Sequence, residues 1–187
     1  MIVQQKIKMI LLLLPLTFLH LGCTNDKAIL TNIEKLQSMP ICLCISDMLL
    51  LDNVESPICF SIDEKFPFRL ILFIGPNECS TCALNSLSEW NVLLDLEKEK
   101  KVQLVFILNP KKKDLEQVIS TYYSSGLKHP VMIDTCDIFT QNNPHIPEES
   151  LFHTFLINSD NNVVMVGNPI KNAKIQAMFE RITTNRH

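Results

Sequence analysis

The sequence predicts an α/β domain, a central mixed sheet flanked by helices, with an N-terminal extension before it. Three observations carry that prediction. Residues 68–75 and 102–108 are apolar runs of strand length, rich in branched and aromatic residues, as strands buried on both faces require. Between and after them, apolar residues recur every three or four positions, at Leu84, Leu87, Trp90 and Leu94, then at Leu115, Val118, Ile119 and Tyr122. Finally, runs at 152–157 and 163–166 flank Asn158-Ser159-Asp160-Asn161-Asn162, the turn chemistry of an antiparallel hairpin. Alternating strands and helices demand a mostly parallel centre, and the hairpin adds an antiparallel edge.

Composition agrees with one globular domain. Of 187 residues, 47 % are apolar and 20 % charged, with 4 glycines and a formal net charge of −3. That excludes a disordered, collagenous or basic nucleic-acid-binding chain.

The elements follow in order. Residues 1–22 hold Lys6 and Lys8, no acid, and an apolar run over 9–19 that is too short for a bilayer but suits the centre of a secretory signal. Without this stretch the balance becomes about −5, a mildly acidic exported domain. Leu19-His20-Leu21-Gly22-Cys23 resembles a bacterial lipoprotein signal, cut before a cysteine that then carries acyl chains. Each buried methylene adds about 0.8 kcal/mol, so several chains anchor stably. The polar stretch 24–27 reads as a tether, and 28–39 as a short helix stopped by Pro40. Residues 41–45, 48–51 and 57–62 have strand length. A long helix runs from Cys79 to the charged residues 97–100, with Trp90 on its apolar face. Asp114 caps the next helix, which stops near Gly126. Residues 131–133 are a short strand, and Asn172 opens a last helix bearing Ile175, Met178, Phe179 and Ile182. Residues 111–113 read as a solvated lysine run, and His145, between two prolines, as loop.

Seven cysteines occur, at 23, 42, 44, 59, 79, 82 and 136. Cys42 and Cys44 lie two apart on an expected strand and are poorly placed to pair, while Cys136 reads as a buried structural cysteine. Cys79 and Cys82 differ, because a strand, a short loop and a helix start converge there. Unpaired amides and the positive end of a helix dipole favour a thiolate at Cys79, and Cys82 is near enough to resolve a mixed disulfide. The alternatives are a closed structural clip or half a zinc site, and no second Cys-x-x-Cys supplies the other half.

With those residues in hand, the chain resembles the thioredoxin-like superfamily over about residues 66–182. It is most similar to membrane-tethered thiol–disulfide oxidoreductases of bacterial envelopes, the redoxin or TlpA/ResA type. The likeness rests on 68–75 followed by Cys79-x-x-Cys82, on 102–108, on Val131-Met132-Ile133-Asp134, and on Thr154-Phe155-Leu156-Ile157-Asn158 with the turn after it. It implies a division into a signal peptide (1–22), a tether and extension (23–66) and a thioredoxin-like domain (67–187). It also implies an enzyme with catalytic Cys79 and Cys82, no cofactor, and no metal. The expected partners are envelope thiols and disulfides and a redox partner protein, reached from a lipid anchor at Cys23 facing the periplasm or exterior. The alternative function is a non-catalytic lipoprotein serving as a binding or assembly module.

Three positions depart from that family's pattern. His153 stands where the family has its cis-proline, and a cis bond before a residue other than proline costs about 2.5–4 kcal/mol, so a trans bond is expected. Glu78 replaces the tryptophan before the first cysteine, and a carboxylate there opposes thiolate formation. Phe73 stands six residues before Cys79, and no acid occupies 70–74. His153 is placed with Cys79 and Cys82 among the catalytic residues, and it has three readings: proton acceptor for Cys82, third soft ligand beside the thiolates, or a side chain that fills the groove and bonds to backbone.

Overall fold

The computed structural model describes residues 21–52 and 60–184, with side chains from residue 26 onward. Residues 1–20 of the expected signal (1–22), the Cys23 side chain and Cys59 lie outside the described residues. The chain divides into two units, residues 1–34 and residues 35–187. In the first, the described part belongs to helix α1 (Leu21–Leu36), which starts before the stretch read as a tether, residues 24–27, and runs through it. No described helix is long and apolar enough to cross a membrane.

The second unit is built on six strands: β1 (Leu49–Leu51), β2 (Phe68–Ile74), β3 (Val102–Leu108), β4 (Val131–Ile133), β5 (Thr154–Asn158) and β6 (Val163–Val166). Their order is β1-β4-β3-β2-β5-β6. β2, β3 and β4 run parallel, whereas β1 on β4, β5 on β2 and β6 on β5 are antiparallel. The expected parallel centre with a hairpin edge is present. Asn158 closes the hairpin by accepting the Asp160 and Asn162 amides at 3.0 and 2.9 Å, with Asn161 at φ 62°.

One core lies where Leu70, Leu72 and Ile74 of β2 and Leu104, Phe106 and Leu108 of β3 meet Leu84, Trp90, Val118, Tyr122 and Phe179. Burying each such side chain contributes about 1.5–3 kcal/mol. Strand alternation turns Phe73 to the opposite face, where its ring lies 5.0 Å from Phe139. Two polar residues interrupt the apolar strands, Arg69 and Gln103, and both are buried. Arg69 Nη2 donates to the Asp63 carbonyl at 3.3 Å, and Gln103 Nε2 donates to the Ser61 carbonyl at 2.8 Å. Gln103 Oε1 accepts the Asp63 amide, so these two side chains fasten the segment preceding β2.

The long helix expected from Cys79 is three pieces: α2 (Ser80–Ser86), a 3₁₀ turn (Leu87–Leu93) and α3 (Leu94–Lys98). The reason lies in the spacing. Leu84, Leu87, Trp90 and Leu93 recur at threes, and a helix with three residues per turn stacks them on one line. Asn91 fixes the tightened stretch by donating to the Gly126 carbonyl and accepting the Lys128 amide, both at 2.9 Å. The next helix, α4 (Leu115–Ser124), is entered through a 3₁₀ turn (Lys112–Asp114), and the Asp114 side chain makes no capping bond. Gly126 beyond it has φ 74°, as expected of a helix stop. Helix α6 (Ala173–Thr184) is capped as expected, Asn172 accepting the Lys174 and Ile175 amides.

Cys42, Cys44 and Cys136 depart from expectation. Residues 41–45 form no strand, and Cys42 and Cys44 are joined by a disulfide. Their Cα atoms lie 5.6 Å apart, closer than the roughly 6.6 Å that two residues of strand would impose. Cys136 is exposed and free rather than buried. The strand before it ends at Ile133, and buried Asp134 accepts the amides of Cys136, Ile138 and Phe139 at 3.2, 3.0 and 2.8 Å. That turn starts a helix the sequence did not announce, α5 (Ile138–Asn142). His145 is in a loop as expected but buried, with neither ring nitrogen hydrogen-bonded. Burial pushes its pKa below the ordinary value, helped by the charge of Lys35 and opposed by the Met39 backbone.

Candidate functional site

The site begins where β2 ends. Beyond Ile74 the chain turns through Gly75-Pro76-Asn77-Glu78, the Glu78 amide donating to the Gly75 carbonyl at 3.0 Å. Cys79 then caps α2 with φ −82° and ψ 93°, and its carbonyl accepts the Ala83 amide. Its sulfur accepts the backbone N–H of Cys82 at 3.2 Å and lies 3.5 Å from the Thr81 hydroxyl. An amide pointed at the sulfur favours negative charge there. Cys79 and Cys82 form a disulfide, and both residues are exposed.

Two hollows adjoin this turn. One, of about 340 Å³, is lined by Cys79, Ser80, Thr81, Lys111 and Gln117. The Ser80 hydroxyl is buried and has no hydrogen-bond partner. The other, of about 500 Å³, is lined by Phe73, Glu78, Asp137, Asn143, Pro147 and His153.

His153 reaches this place through the sheet. It precedes β5, the antiparallel neighbour of β2, and its carbonyl accepts the Phe73 amide at 2.9 Å. The side chain is buried, 5.0 Å from the Phe73 ring. Nε2 lies 2.9 Å from the Pro147 carbonyl, which can only accept, so Nε2 carries a hydrogen. Nδ1 lies 2.5 Å from Glu78 Oε1, which also accepts the Gly75 amide at 2.9 Å. Glu78 Oε1 and the Pro147 carbonyl thus occupy both ring nitrogens of His153. Burial raises the Glu78 pKa, but the His153 hydrogen bond, the Gly75 amide and the His153 charge outweigh it and hold the carboxyl below its ordinary value.

The sequence-predicted residues therefore meet in one place, in an order the sequence did not give. His153 bonds to Glu78 and Pro147, and Glu78 links it to the cysteine turn. The Glu78 carboxylate, expected to oppose a thiolate, faces a histidine that offsets its charge. No described peptide bond is cis, in line with the trans bond expected before His153. Among the described residues no three His, Cys, Asp or Glu side chains gather as a metal site. The Glu78–His153 contact was the feature missed; an acid in the first-cysteine turn and a histidine at the proline position were its two signals.

No protein-family description matches this sequence, and no curated protein does. Solved structures do. The chain is similar to a thioredoxin-like protein solved in solution in its oxidised form, at 11 % identity and a TM-score of 0.52, over 79 % of this chain and 97 % of that one. A PrxQ cysteine variant from Xylella fastidiosa matches at 14 % identity and a TM-score of 0.48, over 78 % and 94 % of the two chains. A putative protein disulfide isomerase from Bacteroides thetaiotaomicron matches at 18 % identity and a TM-score of 0.41, over 60 % and 72 %. The fold is thioredoxin-like, and the Cys-x-x-Cys stands at disulfide distance within it.

Proposed function

We propose that this chain is a thiol–disulfide oxidoreductase of the bacterial envelope, held at a membrane by acyl chains on Cys23 and exchanging disulfides with envelope proteins. The observation that carries the redox part is the exposed Cys79–Cys82 disulfide, with the Cys82 amide pointed at the Cys79 sulfur. The anchor rests on the Gly22-Cys23 signal pattern alone.

In the reducing direction the Cys79 thiolate attacks one sulfur of a partner disulfide. A mixed disulfide forms and the second partner sulfur leaves as thiolate. The Cys82 thiolate then attacks the Cys79 sulfur, closes the Cys79–Cys82 disulfide and releases the first partner sulfur. Two electrons have passed from the pair to the partner. A redox partner protein returns them by the reverse steps.

The Glu78–His153 pair sets the charge beside this exchange. A thiolate next to a lone buried carboxylate is disfavoured, and a carboxylate matched by an imidazolium imposes much less of that penalty. Because both nitrogens of His153 are engaged, any proton it trades with the cysteine turn passes through Glu78. His153 and Glu78 are thus positioning residues here, and Cys79 and Cys82 the catalytic ones.

The second reading, a binding module with a closed clip, draws on His153 occupying the groove with a bond to Pro147. A Cys82→Ser chain separates the two. Expressed in an exporting bacterium and quenched with alkylator, it should accumulate mixed disulfides with envelope proteins, seen as high-mass bands that reductant removes. A Cys79→Ser/Cys82→Ser chain should lose those bands, keeping only what Cys136 and the other cysteines form. If the two chains give the same bands, the oxidoreductase reading fails and the binding module stands.

A further inference from the structure

We propose that Cys42 and Cys44 form a second exchangeable couple, a disulfide that opens and closes against external dithiols independently of Cys79 and Cys82. A structural disulfide stabilises a fold mainly by restricting the unfolded chain, and that effect grows with the loop it closes. Cys42 and Cys44 are two positions apart, so the bond closes almost no loop and staples almost nothing.

The backbone around them is also held without it. The Cys42 amide donates to Asn143 Oδ1 at 2.7 Å, and Asn143 Nδ2 donates back to the Cys42 carbonyl at 3.0 Å. Asn143 is buried and further fixed by its bond to the Phe139 carbonyl at 2.8 Å. One residue earlier, the buried Ile41 donates its amide to the Asn161 carbonyl at 2.9 Å. Opening the disulfide breaks none of these bonds. Access is available as well, since Cys44 is exposed and Cys42 half-buried. A disulfide that is reachable, adds little to stability and sits on a backbone fixed by other means is suited to exchange rather than to stapling.

The step balances with a dithiol as reductant. One of its thiolates attacks the sulfur of Cys44, the more exposed residue of the two, and Cys42 leaves as thiolate. The second thiol of the reductant then displaces Cys44, closing its own ring. Two electrons and two protons have moved to Cys42 and Cys44, and a disulfide oxidant reverses the process.

The test uses the Cys79→Ser/Cys82→Ser chain, which keeps Cys23, Cys42, Cys44, Cys59 and Cys136, and cleavage that puts Cys59 on another peptide isolates this couple. The protein is equilibrated in buffers of varied dithiothreitol to oxidised dithiothreitol ratio, acid-quenched and alkylated, and the peptide bearing residues 42 and 44 is weighed. The pair should pass fully from disulfide to dithiol across the series and reoxidise in oxidised glutathione. The near-ultraviolet dichroism should stay native throughout, and the melting temperature should shift by no more than about 2 °C. The proposal is overturned if reduction occurs only together with loss of the native dichroism, if the pair stays oxidised in excess dithiothreitol, or if it stays a dithiol in oxidised glutathione. The wild-type chain, run in parallel, should give the same midpoint for residues 42 and 44; a midpoint moved by more than tenfold in ratio would refute independence from Cys79 and Cys82.

Discussion

Glu78 and His153, 75 residues apart in the chain, meet at 2.5 Å, Oε1 to Nδ1, on the turn that carries Cys79. Because each member offsets the charge of the other, the two substitutions that break the pair should act in opposite directions. His153→Ala leaves a carboxylate beside the cysteine turn and disfavours the Cys79 thiolate. Glu78→Gln leaves the histidine and removes the carboxylate. One unit of thiol pKa changes the thiolate fraction tenfold, so exchange near pH 7 should slow by roughly three- to tenfold in the first and quicken by a similar factor in the second. Stopped-flow exchange with a model disulfide, followed across pH, measures both. Equal rates in both variants would remove the pair from the chemistry.

The same pair sets an acid limit on stability. The folded Glu78 carboxyl lies below its ordinary value of 4.5, so the unfolded chain binds a proton there more readily than the folded one. The stabilisation from this group is complete above about pH 4.5 and is lost as pH falls through the lowered value. Denaturant midpoints recorded from pH 6 to pH 3 should therefore decline less steeply below pH 4.5 in Glu78→Gln than in the wild type.

Much of this architecture could be read from the chain. The two apolar runs around residues 68–74 and 102–108 have no alternative to burial, and they became the parallel centre of the sheet. The asparagine-rich turn was equally plain, because Asn158 satisfies two turn amides with one side chain. Cys79 and Cys82 were legible from their place between a strand and a helix. What failed were features decided by partners distant in sequence. Asn143 holds the Cys42 backbone from about a hundred residues away, and that contact takes residues 41–45 off the strand path and lets Cys42 reach Cys44. One miss was local: Asp134 gathers the amides of Cys136, Ile138 and Phe139, two to five residues on, to begin α5. Glu78 read as a lone carboxylate because its partner lies in another strand's approach.

The proposed membrane anchor is separable from the redox chemistry. A Cys23→Ser chain has no acyl acceptor, so it should move from the detergent phase to the aqueous phase in a Triton X-114 partition of whole cells. Its purified domain should exchange disulfides at the wild-type rate. Retention of the Cys23→Ser chain in the detergent phase would contradict lipid anchoring at this residue.

The central claim is that Cys79 and Cys82 cycle between dithiol and disulfide, and the most direct measurement is their redox titration. The purified chain is equilibrated in a graded series of reduced and oxidised glutathione, acid-quenched and alkylated, and the peptide bearing residues 79 and 82 is weighed. The account predicts a full two-electron transition within the range that thiol–disulfide oxidoreductases span, roughly −120 to −270 mV. A pair that stays oxidised at every ratio would be a structural clip, and the oxidoreductase account would be wrong.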